Sequence, residues 1–251
     1  QLSRLKGQKL KRFVNFTLVS ILSALSSLFM LLPTYLDLKT HGETFTNIVN
    51  LKTEDSWYLD FFAKNLVGSF DTTKFGSIPM ISVGLVPLIL ALLFFTLKSI
   101  KPIVKLSYSL FFTLIISSFY LQPLNLFWQG MHAPNMFLYR YAWVISIGII
   151  YLAAETVVRL DQINLKHFTL VISFLFIGFL STYFFKNHYD FLVDVNFLLT
   201  LEFLIAYFIR FIVILGYKSS YKWITSTIVI FSLLEVGIHT YYQVQGLSDE
   251  W

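Results

Sequence analysis

Seven stretches of about twenty apolar residues constrain this chain more than any other feature. A bilayer core of about 30 Å is crossed by roughly 20 residues of helix. Backbone in lipid must satisfy its own hydrogen bonds, which leaves helices and closed barrels. Segments at about 13–36, 78–97, 103–121, 139–158, 168–185, 197–217 and 223–242 have that length or come close to it. None alternates strictly between polar and apolar residues, so a β-barrel does not fit. Composition agrees, with 56% hydrophobic and 13% charged residues, against about 45–50% and about 25% in soluble domains. The expectation is an all-α membrane protein of about seven transmembrane helices, one polytopic domain over 1–251.

Charge sets the sidedness. With the basic N-terminal tail in the cytoplasm, the inner loops are Lys98–Lys105, Arg159–His167 and Lys218–Lys222. Together with the tail they hold 12 of the 19 Lys and Arg. The outer loops hold six, among acids such as Asp37, Glu54, Asp60, Asp71, Asp190 and Asp194. The N-terminus is therefore inside and the C-terminus outside, and the net charge of +5 needs no nucleic acid to explain it. The chain has no cysteine, which excludes disulfides, thiolate metal sites and cysteine nucleophiles. It opens at Gln1 and closes at Trp251 beside an apolar segment; a piece of a longer protein is expected.

Two outer loops are too elaborate for connectors. In the first, about 37–77, Trp57, Tyr58, Phe61, Phe62, Asn65 and Leu66 recur at helical spacing opposite Asp60 and Lys64. That pattern predicts a short helix lying in the interface plane. The second reads QPLNLFWQGMHAPNMFLYR over 122–140. Pro123, Gly130 and Pro134 predict a turn-rich path. Asn125, Gln129, His132 and Asn135 offer amides and an imidazole to a hydroxyl-rich ligand. Trp128, Phe127 and Tyr139 offer flat surfaces, and Arg140 offers a planar fork to a phosphate at headgroup depth. An aromatic belt with Arg140 as headgroup anchor is the plainer reading of the same residues.

Glu155, Glu202, Arg210 and Glu235 lie within apolar stretches, where charge is costly and usually paired. By depth, Glu155 and Arg210 suit a pair, and Glu202 and Glu235 suit a shared polar cavity. A proton relay or cation site is one reading, interhelical hydrogen bonding the other. Asp37 is the best placed acid of the first outer loop. No phosphate loop, dinucleotide fingerprint, HExxH or GxSxG is present. No cofactor or metal is indicated.

The run Pro123-Leu124-Asn125-Leu126-Phe127-Trp128-Gln129-Gly130, then Pro134-Asn135 and Tyr139-Arg140-Tyr141, resembles the outer loop of the bacterial YfhO family. Leu32-Pro33-Thr34, Gly68-Ser69-Phe70-Asp71, Ile78-Pro79 and Val83-Gly84-Leu85 are similar to that family in order and spacing. One departure is Gln129-Gly130-Met131-His132, where a histidine directly before the glycine would be expected. The resemblance implies a GT-C-type glycosyltransferase in a bacterial plasma membrane, mainly of Gram-positive bacteria. Such an enzyme moves a sugar from a polyprenyl-phosphate carrier to an outer polymer such as lipoteichoic acid. It also implies an essential acid in an earlier outer loop, so the catalytic acid is expected to lie outside this chain. The alternatives are a transporter or flippase built on Glu202, Arg210 and Glu235, and a scaffold that presents its outer loops to a partner.

Overall fold

The computed structural model describes residues 9–41, 48, 50–54, 56–134, 136–216 and 221–251. It divides into two compact units, 1–46 and 47–251. The first holds a single long helix, α1 (Lys9–His41), with Pro33 inside it. Its apolar side chains are exposed all round, as a helix solvated by lipid requires. The hydroxyls of Thr17 and Ser26 donate to the carbonyls of Phe13 and Leu22 four residues back. These bonds hide polar groups that hydrocarbon would not solvate.

The second unit contains α2 (Asp60–Lys64), α3 (Leu85–Phe94), α4 (Pro102–Tyr120), α5 (Gln122–Trp128), α6 (Trp143–Val157), α7 (Leu165–Phe184), α8 (Asp194–Gly216) and α9 (Tyr221–Glu250). No strand occurs among the described residues; a single antiparallel bridge joins Lys52 to Leu121. Five described helices are long and apolar enough to cross a membrane: Lys11–Asp37, Pro102–Tyr120, Arg140–Val157, Leu165–Phe184 and Asp194–Leu215. The chain is thus an all-α, multi-pass membrane protein.

The segment expected to span at 78–97 is different. Residues 78–84 have no regular secondary structure and only α3 is helical, ten residues long. At 1.5 Å per residue it reaches about 15 Å, half the hydrocarbon thickness. Gly84, at φ +83°, turns the chain immediately before the helix begins. Most of α3 is buried, including Leu85, Leu88, Ile89, Leu93 and Phe94, and it packs chiefly on α6 and also on α7 and α8. A helix apolar on every face belongs in a core, so α3 reads like a lipid-facing span while touching mostly protein. At the other end of the chain, α9 continues two turns beyond the expected limit at 242.

Glycines fix two close approaches. A Cβ at Gly148 of α6 would meet the Phe112 ring of α4 at 2.9 Å, and one at Gly178 of α7 would overlap the Phe62 ring of α2. The outer ends of α4, α7, α8 and α9 all reach the first outer loop. Thr53 N–H donates to Tyr120 O (3.1 Å), Asn196 Nδ2 to Val67 O (3.1 Å) and Gly68 N–H to His239 Nδ1 (3.0 Å). This convergence gives the loop a fixed shape over the bundle.

Candidate functional site

The first outer loop buries charge where the sequence pattern placed it outward. Asp60, in the first turn of α2, is 2% exposed. Its Oδ2 accepts from Trp57 N–H (2.8 Å) and its Oδ1 from the Tyr189 hydroxyl (2.9 Å). Burial pushes the carboxyl up to about 6, and those two hydrogen bonds pull it only part of the way back. Lys64, one turn later, is 3% exposed. Its Nζ lies 3.0 Å from Asp71 Oδ2 and 5.1 Å from the centre of the Phe191 ring. Burial lowers the Lys64 ammonium from its ordinary value, while the Asp71 charge opposes that shift. The helix does form in this loop, but with Asp60 and Lys64 turned inward against α7 and the α7–α8 turn. An interfacial helix with those two in water is not what is observed.

Asp71 is the centre of the arrangement. Besides the Lys64 contact, its Oδ2 accepts from Ile78 N–H (2.9 Å) and its Oδ1 from Thr72 N–H (2.8 Å). A carboxylate with one cation and two amide donors is held in a fixed orientation. It lines an open cavity of about 690 Å³ together with Ser56, Trp57, Thr72, His188 and Tyr189. The Trp57 and His188 rings stack in its wall, with centres 4.2 Å apart and planes at 20°.

A smaller cavity, about 160 Å³, shares Thr72 and Ile78 with the first and is closed by Tyr139, Arg140 and Trp143. The two outer loops are tied there, because Phe137 N–H donates to Thr73 O (2.8 Å). The extended end of α9 braces the same stretch. Gln243 Nε2 donates to Ser69 O, and Glu250 accepts from the Thr72 hydroxyl and from Thr73 N–H and hydroxyl.

The residues singled out in the second loop separate. Part of that loop is helical, since Pro123 occupies the first turn of α5, where its missing N–H costs nothing. Asn125 Oδ1 accepts from Gln129 Nε2 (2.6 Å), so these amides engage each other. Trp128 Nε1 donates to Ser118 Oγ (2.9 Å), which ties the indole to α4. Phe127 is exposed and His132 half-buried; Asn135 lies outside the described residues. Tyr139 is buried with a left-handed backbone, φ 57°. Arg140 is exposed and donates to Met136 O at 3.3 Å. Of the set, Tyr139 and Arg140 meet the first loop at the small cavity. Asp37 belongs to α1 and is exposed.

The intramembrane pairs expected by depth are not formed. Glu155 pairs with Arg159, one turn along the same helix, at 2.6 Å, and Arg210 lies over the Phe231 ring at 5.6 Å. Glu202 is exposed whereas Glu235 is 4% exposed, so the two sit in different environments. Glu235 accepts from Leu85 N–H (2.7 Å) and from the Tyr207 hydroxyl (2.7 Å). It thereby caps the first turn of α3, where the unpaired N–H groups and the helix dipole both favour an anion.

Sequence reasoning missed Lys64, Asp71 and Tyr189 as a site. Depth and spacing along one helix are local, whereas Asp60 and Tyr189 are 129 positions apart. The available signal was the Gly68-Ser69-Phe70-Asp71 run, noted only for its family likeness. Among the described residues no three His, Asp or Glu side chains gather to hold a metal ion.

Comparison with known proteins yields one family. The model of the family described as bacterial membrane protein YfhO matches residues 3–251. No curated protein and no solved structure gives a significant match.

Proposed function

The chain belongs to the YfhO family of bacterial membrane proteins, and from that premise we propose that its outer face serves a membrane glycosyltransferase. The substrate is a sugar linked to polyprenyl phosphate, and the acceptor is a cell-envelope polymer of the lipoteichoic-acid type. The observation that carries this reading is the cavity holding Asp71, Tyr189 and the Trp57–His188 stack on the side that charge assigns to the exterior. A flat aromatic face suits the apolar face of a sugar ring. A fixed carboxylate accepts hydrogen bonds from sugar hydroxyls in a place partly shielded from water. Arg140, in the adjoining cavity, supplies guanidinium donors to the sugar on the side away from α7 and α8.

In the reaction, the bond from the sugar anomeric carbon to the carrier phosphate oxygen breaks and a bond to an acceptor hydroxyl oxygen forms. The hydroxyl proton passes to a base, and the carrier leaves as its phosphate. The residues named here bind and orient; the base is not assigned. The transporter alternative draws on Glu202, Arg210 and Glu235, which have separate environments and form no common path among the described residues.

The test follows transfer of labelled sugar from polyprenyl phosphate to a teichoic-acid acceptor by the intact protein in nanodiscs. A charge-assisted hydrogen bond is worth about 1.5–3 kcal/mol, so Arg140→Ala is expected to lower transfer roughly tenfold or more without loss of folding. Unchanged transfer would remove Arg140 from the site. Carrier crossing the bilayer with no sugar transfer by the unaltered protein would favour the transporter.

A further inference from the structure

We propose that the groove between α7 and α8 holds the isoprenoid chain of a polyprenyl-phosphate carrier, with its phosphate beside Lys186. This inference rests on the glycosyltransferase reading and assigns the place of the lipid within it. Two cavities of about 380 and 400 Å³ lie along the two helices and share Phe176, Leu201 and Leu204. They form one trough. Its α7 wall runs from Thr169 to Tyr183, fourteen residues or about 21 Å of helix. That is some two-thirds of a hydrocarbon core of about 30 Å, a length suited to a chain rather than a compact ligand. The floor is buried and almost wholly apolar, with Ile172, Phe179 and Leu204, while Phe176 and Leu201 form an exposed rim.

What commits the trough to a phosphate-headed isoprenoid is its outer mouth. Lys186 and Asp194 stand there as an ion pair at 2.6 Å, with Lys186 Nζ also 5.2 Å from the Tyr183 ring centre. Both side chains are solvent-accessible, so the ammonium has donors to offer beyond the carboxylate. The hydrogen bond to Asp194 raises the Lys186 pKa above its ordinary value. The turn from Phe185 to Val193 then separates two environments. Tyr183 and Asp194, at its ends, line the apolar trough. His188, Tyr189, Asp190 and Phe191, at its crest, line the polar cavity with Asp71. A carrier with its chain in the trough and its phosphate at Lys186 crosses this one turn to deliver its sugar to the Trp57–His188 face.

The experiment measures binding of undecaprenyl phosphate to the intact protein in nanodiscs. Leu201→Trp fills the rim of the trough, and Leu234→Trp, on an exposed face of α9, is the control. Leu201→Trp is expected to raise Kd tenfold or more and Leu234→Trp to leave it unchanged. Lys186→Ala is expected to weaken undecaprenyl phosphate but not undecaprenol. Phosphatidylglycerol is expected not to compete. Carrier affinity unaffected by Leu201→Trp, or competition by phosphatidylglycerol as strong as by carrier, would make the trough an ordinary lipid contact and overturn the proposal. In that case, continued sugar transfer would leave the glycosyltransferase reading standing. Failure of the unaltered protein to bind carrier at all would overturn both.

Discussion

Asp60, Lys64 and Asp71 are buried charges that no soluble surface helix would tolerate. Taking one partner away from such a pair typically costs about 3–5 kcal/mol, because the other charge stays buried alone. Asp60 answers to pH. Its folded carboxyl titrates near 6 rather than near 3.8, so the folded loop favours the protonated form. The stabilisation this gives is complete below about 3.8 and is lost as pH rises through about 6. Tyr189, whose own pKa is raised by burial and by the Asp60 charge, faces the carboxyl, with Lys64 and Asp71 behind it. Two units correspond to about 3 kcal/mol at most. Hydrogen exchange of the loop amides is expected to show weaker protection at pH 7.5 than at pH 5, and Asp60→Asn to remove that difference. A pH dependence that survives in Asp60→Asn would assign it to another group.

At the scale of elements, α3 shows how a short helix is kept in a membrane protein. Its length is too small to cross the bilayer, and its first turn would leave buried N–H groups without partners. Glu235 of α9 closes that gap by accepting from Leu85 N–H (2.7 Å), and the Tyr207 hydroxyl of α8 holds the carboxylate in place by donating to its other oxygen (2.7 Å). A Cβ at Gly84 would come within 3.4 Å of the Glu235 carboxylate, which adds a steric reason for glycine to the positive φ. Glu235→Ala is therefore expected to cost about 1–3 kcal/mol through the buried, unpaired N–H of Leu85 and the orphaned Tyr207 hydroxyl. Glu235→Gln, which keeps an acceptor, is expected to cost less. Thermal unfolding in detergent checks the order; equal loss in both variants would show that charge against the helix dipole outweighs the hydrogen bond.

Across the whole molecule, the sidedness places every residue of the proposed site on one face. The absence of cysteine makes that directly measurable. Asp190→Cys in intact cells is expected to react with a membrane-impermeant maleimide, and Lys166→Cys only after permeabilisation. The reverse pattern would put the Asp71 cavity in the cytoplasm and end the case for an envelope acceptor.

The sequence by itself determined the solvent of this protein and set the sidedness expected of it. The length of an apolar run and the count of Lys and Arg in a short loop are local quantities, and lipid and membrane potential act on them directly. The spans around α1, α4, α6, α7 and α8 were legible for that reason. Tertiary structure alone decided that 78–97 holds a ten-residue core helix, because lipid and protein interior select the same side chains. It alone brought Asp60 to Tyr189, Lys64 to Asp71 and Glu235 to Leu85. Contacts between residues far apart in the chain leave no periodicity behind. A charge that ends up buried and paired is written in the sequence like one that faces water.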